Sequence, residues 1–480
     1  MNNITLRRIK KFFNENILNI TVGIVIMVVF VCLVLNNPYF HQYNKDEIHA
    51  WNIATDLSFI QIIKLMRAEG HTFIWYMLLK PFTYMPDKFF PWILKYLNLF
   101  FVVISIGLMW FFAPINKLFK MLIIFSYPFL FCFALLGRPY GIGILLLSLI
   151  AILYKHRLNK PILFSVILFF TANTSFIGAI AVVGICITYT YELFKIKNVK
   201  SILVMLLIPI SLYIQWHNPI TPAYTLRENL LYLFNFHLFR QYIDYILNTE
   251  IPRIVIITMS YLTLIYFRNN LKLLFSIVIS YSIFISLALC LYGMFDYHYL
   301  FMFILFCIFY WIYTDNTQKE SSNLVLWSFN TCFLALCIIL SPFIRIDGYW
   351  FRDSQKFYDA MSCLYKNVPQ NSVIYTTMFS LGHEIPYIRD KYVLKTFNGD
   401  DLLTYDSYFN TYTSKLKYIT YDENKLKSMD VGSRNKFIVV NGQFLTENFA
   451  KTPAKVKTLN DKFVKSSTKC EYLYINSLDD

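Results

Sequence analysis

The chain has 480 residues, of which 57% are apolar and only 15% are charged. Because an average soluble domain carries about 25% charged residues, this composition excludes an ordinary soluble protein and indicates a membrane protein. The net charge is +15, but we predict no nucleic-acid partner, because the basic residues form short clusters between apolar runs and not one continuous stripe.

The first apolar run extends from Ile17 to about Leu35 and is long enough to cross a hydrocarbon core of about 30 Å. It follows the basic stretch LRRIKKFF and has no small-residue cleavage site after it, so we interpret it as an uncleaved first helix with a cytoplasmic N-terminus. The pattern predicts an all-α polytopic membrane domain of about 11 to 13 helices over residues 1–344. The later apolar runs lie at about 92–113, 118–136, 139–154, 161–174, 177–194, 201–216, 252–267, 271–293, 297–313 and 323–343.

Basic clusters at 155–160, 195–200 and 268–272 set the predicted orientation. All three fall on one side of the bundle, which the positive-inside rule makes the cytoplasm, so the loop 37–91 is extracytoplasmic. The number of membrane crossings agrees with this orientation if residues 70–85 form an interfacial or re-entrant helix that does not cross, or if a further span has been missed elsewhere. We prefer the first alternative, because aromatic residues of this segment suit the outer interface.

Residues 345–480 are rich in charge and contain no apolar run long enough to span a membrane. Short β-rich pieces alternate with helical ones, which predicts a small extracytoplasmic α/β domain. The domain has no phosphate-loop or dinucleotide fingerprint, and a lid or acceptor-binding role and a purely structural role both stay open. Its cysteines, Cys363 and Cys470, lie on the side where the compartment permits a disulfide.

The first external loop places two adjacent acids, Asp46 and Glu47, at the start of a predicted amphipathic helix with apolar positions from Ile48 to Met66. Adjacent helical residues point about 100° apart, so the two carboxylates do not form a matched pair. One interpretation makes them N-terminal helix charges, which the helix dipole favours. The other makes one of them a general base, with a pKa raised by desolvation at the membrane interface.

The same predicted face also carries side chains suited to a lipid phosphate and a sugar. A departing phosphate needs charge-assisted hydrogen bonds, and an acceptor hydroxyl needs a base. Together these groups favour glycosyl transfer from a lipid-linked sugar. Simpler roles stay open, including a solvated acid, a turn-forming histidine, a snorkelling lysine and an arginine anchored to lipid phosphates. The candidate substrate-binding residues are His49, Glu69, His71, Lys80, Arg138 and His298.

The order of these features resembles the GT-C superfamily of membrane glycosyltransferases, in particular bacterial relatives of the protein O-mannosyltransferases and of the lipid A aminoarabinose transferase. The resemblance is closest over residues 37–80, moderate to about 150 and only architectural beyond. Thr72 departs from the proline often found in relatives, and His298-Tyr299 stands where Arg-Tyr is expected. The matching residues are Asp46 and Glu47 for the acids, Gly70, His71, Trp75 and Tyr76 for the turn and aromatic segment, and Arg138 with Tyr140 for an Arg-x-Tyr motif.

The resemblance implies a polyprenyl-phosphate sugar donor and an inverting single displacement, with no metal and no other cofactor. The implied partners are this donor, membrane lipid, and a glycan, lipid or protein acceptor of the cell envelope. A glycan polymerase or ligase is an alternative, because the loop 217–251 carries Arg227, His237 and Arg240. A transporter ranks third, because it is expected to place charges at mid-membrane and often shows an internal repeat, whereas here the acids are predicted at the interface and no repeat is found.

Overall fold

A computed structural model shows a mostly helical chain with a small C-terminal sheet. Contacts divide the chain into two compact units. The helical unit comprises Met1–Phe40, Trp92–Leu212 and Arg227–Asp347, and the loop-sheet unit comprises His41–Pro91, Tyr213–Leu226 and Gly348–Asp480. The structure describes residues 3–41, 43, 45–69, 71–85, 92–216, 250–287, 296–316, 323–340, 354–377, 381, 384–404, 408, 423–429, 431–441 and 467–478.

Seventeen α-helices are numbered here in chain order over the described residues. They are α1 Asn3–Leu35, α2 Lys45–Asp56, α3 Phe59–Leu65, α4 Ile74–Leu79, α5 Trp92–Phe112, α6 Lys117–Ile124, α7 Tyr140–Leu153, α8 Pro161–Ala172, α9 Phe176–Lys195, α10 Val199–Trp216, α11 Glu250–Phe267, α12 Leu271–Leu287, α13 Asp296–Asn316, α14 Asn323–Ile339, α15 Ser354–Asn367, α16 Ile385–Ile388 and α17 Glu423–Ser428.

Three helices are long and apolar enough to cross a membrane, namely the part of α1 from Ile17 to Leu35, α5 and α9. Seven shorter apolar helices of 10–17 residues accompany them among the described residues. Every predicted apolar run contains helix, although the run 118–136 is divided into α6 and a π-helix, Pro128–Phe133. This architecture is compatible with a polytopic membrane fold.

Ion pairs join helices of the helical unit near their ends. Glu192 in α9 accepts hydrogen bonds from Arg157 at 2.7 and 2.8 Å and from Lys272 at 2.8 Å. Lys155 approaches Asp315, in the last turn of α13, with a distance of 3.0 Å between Nζ and Oδ2. The basic partners belong to two of the three clusters that the sequence assigns to the cytoplasm, those at 155–160 and 268–272.

The amphipathic segment of the first loop forms two helices, so the prediction of one continuous helix is wrong. The chain turns at Ser58, whose backbone is extended and whose hydroxyl accepts a hydrogen bond from the amide of Gln61. The Gln61 side chain in return accepts from the amide of Ser58 at 2.9 Å. This capping box starts α3 and separates it from α2. The next helix, α4, has six residues and is too short to span a membrane.

The loop-sheet unit contains a five-stranded sheet with the order β2-β1-β3-β5-β4. Strand β1 lies between β2 and β3 and is parallel to both, and β5 is antiparallel to β3 and β4. The β-rich pieces of the sequence predicted most of these strands. The strands are β1 Val373–Tyr375, β2 Val393–Lys395, β3 Lys436–Asn441, β4 Thr468–Cys470 and β5 Leu473–Ser477.

A disulfide joins Cys363 in α15 to Cys470 in β4 and closes a loop of 107 residues along the chain. The sequence permitted this disulfide but did not predict it. A cross-link over such a long loop restricts the unfolded chain and stabilises the folded domain by several kcal/mol, about 5 in the chain-entropy estimate. It ties the helix before the sheet to the last strands of the sheet.

Candidate functional site

The two adjacent acids occupy the first turn of α2, as predicted, but their surroundings differ. The side chain of Glu47 is fully buried, whereas that of Asp46 is partly exposed. This difference follows from the angle of about 100° between neighbouring helical side chains. Asp46 is therefore the more exposed of the two carboxylates.

His49 and Glu69 form a hydrogen-bonded pair inside the loop-sheet unit. The distance from His49 Nε2 to Glu69 Oε1 is 2.9 Å, and the hydroxyl of Tyr76 donates to Glu69 Oε2 at 3.0 Å. Both oxygens of Glu69 are thus engaged and its side chain is only 8% exposed. With Glu69 ionised, His49 donates from Nε2, which fixes both the tautomer and the ring orientation. The interpretation of Glu69 as a solvated acid is wrong.

Lys80 is buried and caps the end of α2. Its ammonium donates to the carbonyl of Thr55 at 3.2 Å and to that of Leu57 at 2.8 Å. These carbonyls belong to the end of a helix, where backbone acceptors lack partners within the helix. Burial lowers the pKa of Lys80, although the charge of Asp56 opposes this effect. Lys80 does not snorkel, and these contacts favour a helix-capping role over its predicted binding of substrate.

The turn that follows Glu69 is held by a residue distant in the chain. The amide of Phe73 donates to Gln215 Oε1 at 3.0 Å, and Gln215 is almost fully buried in the same unit. Thr72 is fully buried, while His71 is partly exposed. The hydrogen bond from Phe73 supplies restraint in a turn where the sequence lacks the proline expected from the resemblance. Gly70 lies outside the described residues.

Arg138 belongs to the helical unit and lies in the connection between the π-helix and α7. Its guanidinium carbon is 5.8 Å from the centre of the Tyr140 ring. Asn98 donates to the carbonyl of Phe133 at 2.6 Å and accepts from the amide of Gly141 at 3.0 Å. A Cβ atom at Gly141 would lie only 2.4 Å from Asn98 Oδ1, so glycine is required for this close approach. The contact explains the last glycine of the GRPYG motif.

The buried lysine of α5, Lys95, was missed by sequence reasoning. Its ammonium donates to the carbonyl of Leu135, in the same connection before Arg138. A lysine within an apolar helix is the sequence signal that indicates such a role, because a buried ammonium needs acceptors. Lys95 and Asn98 together stabilise the irregular backbone that leads to Arg138.

His298 lies in the first turn of α13, in the helical unit. The loop 217–251, with Arg227, His237 and Arg240, lies outside the described residues except for the first two residues of α11. Within the described ranges, no group of three or more His, Cys, Asp or Glu side chains is arranged to hold a metal ion.

Asp56, Arg389 and Tyr408 are further residues that sequence reasoning missed. Arg389 forms an ion pair with Oδ1 of Asp56, and the hydroxyl of Tyr408 donates to Oδ2 at 2.6 Å. Asp56 and Arg389 are 333 positions apart in the sequence, so no local sequence pattern predicts their contact.

No protein-family model, curated protein or solved structure matches the chain. The side chains described above therefore carry the functional argument.

Proposed function

We propose that the protein is a multi-pass membrane glycosyltransferase of the GT-C type. It moves a sugar from a polyprenyl-phosphate donor to a glycan, lipid or protein acceptor of the cell envelope, at the outer face of the membrane. The observation that carries this proposal is the first turn of α2, where the partly exposed Asp46 lies three residues before the hydrogen-bonded pair of His49 and Glu69.

Asp46 is the proposed general base. The proton of the acceptor hydroxyl passes to its carboxylate, and the acceptor oxygen forms a bond with the anomeric carbon of the sugar. The bond between that carbon and the phosphate oxygen breaks with its electron pair, which releases polyprenyl phosphate. The buried Glu47 stabilises the helix start, since a negative charge there interacts favourably with the helix dipole.

His49, Glu69 and His71 are proposed to bind the substrates around this base. Because Glu69 fixes the ring of His49 and Tyr76 fixes Glu69, the imidazole of His49 is held in one orientation next to the proposed base on α2. Such preorganisation lowers the cost of orienting the reacting groups.

Arg138 is the proposed contact for the donor phosphate. Its guanidinium can bind two phosphate oxygens at once and stabilise the charge that develops on the leaving group. The backbone before and after it is held by Asn98 and Lys95, which limits the motion of this cation. His298 is proposed as a second phosphate contact in its protonated form.

Two observations support an extracytoplasmic position for the site. The basic clusters at 155–160, 195–200 and 268–272 favour a cytoplasmic location for the loops that carry them, and the order of apolar runs along the sequence then favours an extracytoplasmic loop 37–91. The disulfide between Cys363 and Cys470 is typical of proteins in oxidising compartments. Residues 348–480 and the acid-bearing loop pack in one unit, so both belong on the same side.

The test is release of polyprenyl phosphate by the purified full-length protein in detergent, with short-chain polyprenyl-phosphate sugars and an envelope extract as acceptor. Asp46→Asn is expected to lower the rate about 10²- to 10⁴-fold, the usual contribution of a general base. Asp400→Asn, which alters an exposed carboxylate of the same unit, is the matched control and is expected to retain the wild-type rate. Equal rates for wild type and Asp46→Asn would refute the assignment of the base.

A further inference from the structure

The carboxylate of Asp56 is buried by residues that follow it by more than 300 positions. It is the last residue of α2, and its side chain is only 3% exposed. One carboxylate oxygen pairs with Arg389, which follows α16, and the other accepts the hydroxyl proton of Tyr408. We call Asp56, Arg389 and Tyr408 the Asp56 clamp.

Nothing in α2 itself favours an acid at this position. The C-terminal end of a helix carries partial negative charge, so a carboxylate there is repelled by the helix dipole. Burial adds a desolvation cost, which raises the pKa of Asp56 even though Arg389 and Tyr408 lower it. The carboxylate is stabilised by groups from the C-terminal part of the chain, and the position of Asp56 is explained by these contacts.

The backbone beside Asp56 is restrained as well. Lys80 donates to the carbonyls of Thr55 and Leu57, one residue before and one residue after the acid. The end of α2 is therefore fixed through both its backbone and its carboxylate. A rotation or translation of this helix would break the Lys80 contacts or the clamp.

The clamp and the proposed catalytic groups share one face of α2. Asp56 follows His49 by seven residues, which is about two helical turns and returns to the same face. Tyr408 contacts both of them, since its ring centre is 5.9 Å from that of His49 while its hydroxyl binds Asp56. Asp46 lies three residues before His49, on a neighbouring position of the helix surface.

We propose that the C-terminal α/β domain positions the acid-bearing helix α2 through the Asp56 clamp, so that Arg389 and Tyr408 are positioning residues for Asp46 and His49. The catalytic part of this inference rests on the proposed function, whereas the restraint of α2 does not. The domain then supports transfer by positioning α2, a role distinct from the lid or acceptor-binding role and from the purely structural role that the sequence left open.

The restraint is tested by hydrogen–deuterium exchange of the full-length protein in detergent. Arg389→Met is expected to speed exchange of the α2 amides about tenfold or more, while amides of β1 and β3 keep their wild-type rates. A general loss of folding would instead speed exchange in the sheet as well. The matched control is Arg434→Met, which removes an exposed arginine of the same unit and should leave α2 unchanged.

Tyr408→Phe removes one oxygen atom and keeps the ring against His49. This milder variant tests the restraint of α2 even if Arg389→Met disturbs folding in general. We expect exchange about threefold or more faster, confined to α2, because one buried hydrogen bond is lost. The double variant Asp56→Asn with Arg389→Gln restores a neutral hydrogen-bonding pair and is expected to return α2 to near wild-type exchange. Unchanged α2 exchange in Tyr408→Phe and Arg389→Met would overturn the proposal.

Transfer rates of the same variants separate this inference from the proposed function. With intact folding, Arg389→Met is expected to lower polyprenyl-phosphate release about tenfold or more, and the neutral double variant to recover most of it. Wild-type transfer rates in all clamp variants would reject their positioning role and keep the function. If the clamp variants show faster α2 exchange but the wild-type protein transfers no sugar, the restraint of α2 is supported and the proposed function is rejected.

Discussion

Both units of the molecule use ion pairs between distant helices, but the pairs differ in redundancy and in exposure to water. In the helical unit, Glu192 has two cationic partners, and the Lys272 side chain is 58% exposed. In the loop-sheet unit, Asp56 is 3% exposed and Arg389 21% exposed. An exposed pair contributes little stability, whereas removal of one partner from a buried pair leaves a desolvated charge. Helix packing therefore tolerates loss of Lys272 at the first site and depends on both partners at the second.

Arg389→Met is the change with the largest expected effect on this comparison. It leaves the buried carboxylate of Asp56 without its cation, which costs about 3 kcal/mol or more of the stability of the loop-sheet unit. The apparent melting temperature of the purified protein is measured by monitoring proteolytic cleavage within residues 348–480 as the temperature rises. A melting temperature equal to that of Arg434→Met would contradict the importance of this pair.

Tyr408→Phe is expected to have an intermediate effect. The variant removes the hydrogen bond to Oδ2 of Asp56 but leaves the ion pair with Arg389, so the expected loss is about 1 to 2 kcal/mol. The same melting experiment applies, with Tyr358→Phe as the control because the Tyr358 side chain is exposed. A loss as large as that of Arg389→Met would show that the hydroxyl, and not the cation, dominates the clamp.

Lys272→Met tests the redundant side of the comparison. Arg157 still donates two hydrogen bonds to Glu192, and Lys272 is largely exposed, so we expect a loss of no more than about 1 kcal/mol. Thermal unfolding of the helical unit in detergent, monitored by circular dichroism, measures the change. A loss above that of Tyr408→Phe would reverse the proposed ranking of the two sites.

The smallest expected effect is a pH dependence of the clamp. Burial raises the pKa of Asp56 above its ordinary value of 3.8. A raised carboxyl pKa contributes stability that is fully present below the unfolded pKa and is lost as pH rises through the folded pKa. Lowering the pH from about 7 to about 4 should therefore stabilise wild type relative to Asp56→Asn. A shift in favour of Asp56→Asn on acidification would mean that Arg389 outweighs burial.

Features with a local or periodic signal were predictable from the sequence. The apolar runs give helices because about 20 apolar residues form a stable span, and the acids of Asp46 and Glu47 mark the start of α2 because they suit its dipole. The alternating pieces around Val373 and Lys436 give strands of the C-terminal sheet. The division at Ser58 was also encoded locally, in the Ser58 and Gln61 capping box, but the apolar periodicity concealed it.

Contacts between distant residues could not be predicted in the same way. The burial that distinguishes Glu47 from Asp46 depends on the packing of α2 against other elements of its unit. The pairing of Asp56 with Arg389 depends on a fold that joins residues 333 positions apart. Lys80 appeared to be an interfacial cation because its acceptors, the carbonyls of Thr55 and Leu57, are backbone atoms that no side-chain pattern reveals.

The long separation between Asp56 and Arg389 also has a consequence during protein synthesis. At about 5 to 20 residues per second, Arg389 leaves the ribosome roughly 20 to 70 s after Asp56. The loop that carries Asp56 is therefore without Arg389 while the intervening helices are synthesised. Premature termination before Arg389 yields a chain that retains the hydrophobic helices and both acids of α2 but lacks the cation that holds this helix in place.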